Sequence, residues 1–140
     1  MNELPKRPMV GAANIILNEK GEILLMKRAK ESKTFPDMWG LVGGVIDWGE
    51  TPAEAAKREA MEEIGVEVEV LQFVGRYYLT DTKSKGKVIG LPHYARIVSG
   101  TPHAAQPEET QEVKWFLPEE VRNMELAYKH KQILEDEGLI

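Results

Sequence analysis

The sequence contains no cysteine, which removes disulfide bracing and thiol chemistry together. That absence fits the cytoplasm, the expected location. No apolar run approaches the roughly 18 residues of a membrane-spanning helix, and the opening MNELPKRP lacks the apolar centre of a secretion signal. No Pro/Gly/Ser-rich linker, internal repeat or low-complexity stretch divides the 140 residues, so a single domain over residues 1–140 is expected. An excess of positive charge is missing too. The net charge of −5 disfavours a macromolecular nucleic-acid partner. His93, His103 and His130 have no metal-ligand spacing, and each is expected as a surface or internally satisfied polar residue.

What the chain does have is a crowd of glutamates. Glu59, Glu62 and Glu63 fall at i, i+3 and i+4 of one expected helix, within an arc of about 100°. Like charges so spaced repel by roughly 0.2–0.5 kcal/mol per pair. A bound cation would resolve that repulsion; a solvated acidic face is the plainer explanation. Hard oxygen donors without nearby Cys or His favour Mg²⁺ or Mn²⁺ over zinc. The helix is well specified. Thr51-Pro52-Ala53-Glu54 forms a capping box with Pro at its first turn, and Gly65 is placed to end it. Ala53, Ala60 and Ile64, flanked by Ala56 and Met61, are its expected apolar face, with the acidic face opposite.

The spacing around those glutamates is more specific than the glutamates alone. The segment GVIDWGETPAEAAKREAMEEIGV, residues 44–66, places Gly44, Glu50, Arg58-Glu59, Glu62-Glu63 and Gly65 at fixed intervals, with Ala60 and Val66 in aliphatic slots. This resembles the complete signature of the Nudix hydrolase superfamily. The resemblance implies an α/β fold, an α/β/α sandwich with a mixed β-sheet and a loop–helix–loop catalytic motif. It implies Glu59, Glu62 and Glu63 as metal ligands and catalytic residues, with the Gly44 carbonyl as a further ligand. It makes Glu50 and Arg58 a structural clamp between loop and helix. Gly43 stands where the family often has Pro.

Outside the signature, Glu109 lies in QPEETQEVKWF, an acidic loop before a strand. It resembles the position of an additional metal ligand or general base in many members, with Glu108 and Glu112 as rivals. Arg28, at the end of ILLMKR, is similar to residues that contact substrate phosphates in related enzymes. The implied activity is metal-dependent hydrolysis of a phosphoanhydride in a nucleoside diphosphate derivative, a (d)NTP or ADP-ribose-type nucleotide, by metal-activated water. A catalytically silent nucleotide sensor and an RNA 5′-end pyrophosphohydrolase are the alternatives. The partner is a small-molecule nucleotide, and a homodimer is open because dimers are common among related enzymes.

The patterning predicts strands at Met9–Leu17 and Glu22–Arg28 around a turn, and a short strand at Trp39–Val42. It predicts the helix at Thr51–Ile64, then one long strand at Val66–Tyr78, bulged at Gly75. A turn at Asp81–Lys87 leads to strands at Val88–Val98 and Glu112–Phe116. A short helix starts at Pro118 and a terminal helix spans Leu126–Glu137. Trp48 is expected at the surface, Trp115 and Phe116 in the core and as a wall of the site, and Phe35, Tyr77 and Tyr78 as packing residues or base-stacking candidates.

Overall fold

The computed structural model describes residues 6–140; residues 1–5, on which the reading of the N-terminus partly rests, lie outside the described residues. Eight strands and three helices follow in the order β1 Met9–Ile16, β2 Ile23–Arg28, β3 Trp39–Gly40, β4 Val42–Val45, α1 Pro52–Ile64, β5 Glu67–Phe73, β6 Tyr78–Thr82, β7 Gly86–Ser99, β8 Thr110–Phe116, α2 Pro118–Arg122 and α3 His130–Asp136. They build two sheets. The larger has the order β4-β1-β7-β5, with β6 also on β7; the smaller has the order β3-β2-β8. The larger is mixed, because β1 runs parallel to β7 and antiparallel to β4.

Alternation along β1 and β2 sorts side chains onto two faces. Ala13, Ile15, Ile23 and Leu25 point to one cluster, closed by Val121, Leu126, Ile133 and Leu134 from the C-terminal segment. Ile16, Leu24 and Met26 point to the other, closed by Ala60 and Ile64 of α1. Helices thus cover both faces, which is the α/β/α layering implied by the signature. A strand buried on both faces reads as an unbroken apolar run, as ILLM does in β2.

Several boundaries differ from the sequence reading. The returning strand β2 does not form a ladder with β1 beyond the Leu17–Ile23 bridge; it enters the smaller sheet. The strand expected at Trp39–Val42 is divided at Leu41: β3 pairs with β2, whereas β4 pairs with β1. The long strand after α1 is interrupted between Phe73 and Tyr78. Phe73 faces His93 and Tyr78 faces Gly90, so this stretch holds two more residues than β7 does opposite. Gly75, at φ +89°, takes up the excess, and pairing resumes to Thr82. The terminal helix starts at His130 instead of Leu126 because Tyr128 adopts φ +53° and the Ala127 N–H bonds to the Trp39 carbonyl.

α1 forms as its caps dictate. Thr51 accepts the Glu54 N–H, Glu54 accepts the Thr51 N–H, and Gly65 ends the helix in the left-handed region. Its buried face, however, consists of Ala55, Ala56, Ala60, Glu63 and Ile64, while Ala53 and Met61 are exposed. The acidic and apolar faces therefore overlap at Glu63. Gly65→Ala should cost about 1–2 kcal/mol in urea denaturation, from left-handed strain alone, because Gly65 sits at φ +68°. A Cβ there also meets the His103 ring, so the measured loss should be at the upper end.

Candidate functional site

The site begins with a close approach between a strand that lacks side chains and a helix that carries acidic ones. Gly43 and Gly44 lie in β4, paired with Ala13 and Ala12 of β1. A Cβ on Gly43 would run into the Ala12 carbonyl, and one on Gly44 would stand 2.5 Å from the Glu59 carboxyl carbon. Gly43 therefore requires glycine for space, whereas a Cβ at Gly44 would have to push the Glu59 carboxyl aside. The approach lets Glu63, 6% exposed, accept the Gly43 N–H at 2.9 Å.

Around this contact opens a cleft of about 600 Å³, within the range of small-molecule sites. Glu59, Glu63, Glu108, Glu109 and Gly44 line its acidic part, with Arg28 beside them. Elsewhere its wall includes Tyr78, Thr80, Lys85, Tyr128, Lys129 and His130. Glu112, the third rival for the acidic-loop role, sits on β8 opposite Lys27 and is not part of the wall.

The charges in the acidic part are out of balance. Burial pushes the Glu63 carboxyl well up, and the neighbouring Glu59 and Glu109 add to this against the opposing Gly43 N–H and Arg28. Glu59 is also raised, chiefly by burial, with Glu62 and Glu109 contributing and Arg58 opposing. Both carboxyls would ionise more readily if a cation joined them. All the donors here are oxygen, and the Gly44 backbone is open toward Glu59. The residues thus fit a hard divalent ion such as Mg²⁺ or Mn²⁺.

Convergence is nevertheless partial. Among the described residues, no three acidic or histidine side chains stand close enough to share one ion. Arg58 Nη1 donates to Glu59 at 2.8 Å and to Glu62 at 3.1 Å. Glu62 is held outward, 44% exposed, and is absent from the cleft wall. Joining the other two requires it to leave Arg58. The other side of Arg58 grips Glu50 through two parallel bonds of 2.8 Å and reaches the Val45 carbonyl at 2.9 Å. This fork lashes the loop to α1.

Arg28 is braced rather than loose. Its Nε donates to the Thr34 carbonyl at 3.0 Å, its Nη2 donates to Ser32 and Thr34, and its guanidinium lies 5.3 Å over the Tyr128 ring. Thr34 in turn bonds to the Tyr128 hydroxyl at 2.7 Å. Tyr128 carried no sequence signal, and Lys85 and His130 none that placed them at this cleft, since they reach it from a hairpin tip and the C-terminal segment. Phe35 packs on Tyr128 at 4.6 Å, Tyr77 is exposed and Trp48 is fully exposed. Trp115 flanks the α1-side core and Phe116 is buried against Trp39, and neither lines the cleft.

Two outcomes test this geometry. Gly44→Ala should lower activity about tenfold or more by displacing Glu59, with the far-ultraviolet circular dichroism unchanged. The Arg58 fork holds the Glu50 carboxyl down at about 2, well below the ordinary carboxylate range. A depressed carboxyl stabilises the fold above its unfolded pKa and loses that contribution as pH falls through the folded value. The stability gap between the parent and Glu50→Gln should therefore be full near neutrality and close between about pH 4.5 and 2 in pH-dependent urea titrations.

Comparison with known proteins agrees with the geometry. The NUDIX domain family model matches residues 7–136. An ADP-ribose pyrophosphatase of Methanocaldococcus jannaschii is 30% identical over 126 residues, covering 89% of this chain and 70% of that protein. A nucleoside triphosphatase NudI of an Enterobacter species is 26% identical over 132 residues, covering 89% and 94%. Among solved structures, a MutT NUDIX hydrolase from Burkholderia pseudomallei superposes with a TM-score of 0.83 at 27% identity, covering 93% of this chain and 98% of that one.

Proposed function

This chain belongs to the Nudix family and is a Nudix hydrolase, and we propose that it cleaves the phosphoanhydride bond of a nucleoside diphosphate derivative with Mg²⁺ or Mn²⁺ at the acidic part of its cleft. The observation that carries the proposal is the meeting of Glu59, Glu63, Glu109 and the Gly43–Gly44 backbone in one cavity large enough for a nucleotide. The similarity to an ADP-ribose pyrophosphatase and to a nucleoside triphosphatase supports the two substrate types, ADP-ribose-like nucleotides and (d)NTPs.

In this reading Glu59, Glu62 and Glu63, with the Gly44 carbonyl and Glu109, hold the cation. Once bound, a divalent ion neutralises phosphate charge and acidifies a water for attack on phosphorus. The protein's own groups do the rest. Gly43 fixes the Glu63 carboxylate through its N–H, and the Glu50–Arg58 fork keeps the loop against α1. Arg28, aligned by Ser32 and Thr34, offers positive charge to the diphosphate. Glu109 lies on an exposed loop at the cleft margin, anchored where its carbonyl accepts the Ala29 N–H. It is the carboxylate we assign to take the proton of the attacking water.

The test is a panel of ADP-ribose, canonical and oxidised nucleoside triphosphates with Mg²⁺ or Mn²⁺, both products being identified. Turnover of at least one is expected. Glu59→Gln, Glu62→Gln and Glu63→Gln should each lower kcat by about a hundredfold or more, with thermal unfolding little changed. Parental turnover by Glu63→Gln would refute the assignment.

A further inference from the structure

His130 is tied to the fold by one nitrogen and faces the cleft with its ring. The tie arises where the chain crosses between the two sheets. Leu41 lies between β3 and β4, and its N–H donates to His130 Nδ1 at 3.0 Å. A backbone N–H can only donate, so Nδ1 must present a lone pair. In the neutral ring the proton then resides on Nε2.

The ring is held in this orientation from more than one side. At Gly40 a Cβ would stand 2.9 Å from Nδ1, so glycine leaves the room that the ring needs. The Tyr128 ring lies 5.4 Å away, centre to centre, tilted by 40°. Among the described residues the ring makes no second hydrogen bond. His130 is partly buried and lines the cleft together with Arg28, Tyr128, Lys129 and Ile133. Burial, with the Arg28 charge adding to it, pushes its pKa down to about 3, so it carries no charge near neutrality.

We infer that the Nε2–H of His130 is a fixed, uncharged donor that binds a neutral acceptor on the nucleoside or sugar part of the substrate: a ring nitrogen, a carbonyl oxygen or a hydroxyl oxygen. The inference rests on the nucleotide-hydrolase reading above and adds to it a specificity-determining contact. Phosphate oxygens have Arg28, Lys85 and Lys129 in the same cleft to meet them. A neutral acceptor matches a neutral donor without burying a charge. A site built around such a donor also discriminates against analogues that lack the acceptor, because the donor is then left unpaired.

Two measurements test it. In ¹⁵N-histidine spectra of the whole protein, Nδ1 of His130 should be unprotonated and Nε2 protonated throughout about pH 5.5–8; a protonated Nδ1 would overturn the inference. His130→Asn keeps an acceptor for Leu41, but its amide N–H₂ branches from the same carbon and does not reach the position of Nε2. Its KM for whichever of ADP-ribose or the nucleoside triphosphates the parent turns over should rise about five- to tenfold, with kcat within about twofold. A parental KM in the folded variant would overturn it. If that variant does not fold, the parent's Nε2 resonance decides: it should shift on saturation with ADP-ribose or a non-hydrolysable ATP analogue, and an unmoved resonance counts against the contact. A parent protein that hydrolyses none of these nucleotides would show up separately and would remove the functional reading together with this contact.

Discussion

Glu63 carries a carboxylate into the interior, where it accepts the N–H of Gly43. Burying an anion is costly unless it is paired or protonated. The surrounding architecture follows from accommodating it. α1 must lie close to β4, so its buried face is built from Ala55, Ala56 and Ala60, and β4 gives up side chains at two successive positions. The same closeness brings Glu59 against Gly44, and two carboxyls with raised pKa then share one small region. Proton and cation become competitors for the same oxygen atoms. Occupancy by either one relieves the strain that the fold builds into this corner.

The division into two sheets explains where the cleft opens. β1 and β2 are joined by a tight turn but belong to different sheets, and the chain crosses again between β3 and β4. Each crossing leaves ladder groups to be satisfied elsewhere. At Leu41 a histidine ring performs that task, and at Trp39 the Ala127 N–H does, donating to its carbonyl. The C-terminal segment is therefore drawn against β3 and delivers Tyr128, Lys129 and His130 to the cavity. The β6–β7 hairpin approaches from another side, where the Ser84 hydroxyl donates to the Lys33 carbonyl.

α1 with both caps and most strand positions were legible in the sequence because they rest on local signals: alternation, a capping box and a glycine at the helix end; the layered α/β class came only with the family resemblance. The acidic cluster was legible through its helical spacing, and the Glu50–Arg58 fork through the family resemblance. What local pattern does not encode is partnership. Nothing in WGLV announces that Trp39 and Val42 serve different sheets, and nothing in LAYKH reveals the positive φ of Tyr128 that shortens the last helix. Glu63 looked like a member of the outer acidic face because a helical wheel does not say how far a glycine strand will approach. His130 was expected as a satisfied polar residue, and Nδ1 is indeed satisfied; its place in the cleft wall depends on a contact 89 residues away in sequence.

Arg58 touches Glu50, Glu59, Glu62 and the Val45 carbonyl at once, with Asp47 3.4 Å from its Nε. Only a flat head with donors along several edges can address acceptors spread around it in this way. Lysine, a single point with three protons, would have to choose between the loop and the helix. A change that conserves charge at position 58 would consequently uncouple the two segments, leaving the glutamates in register along α1 but with no common tether.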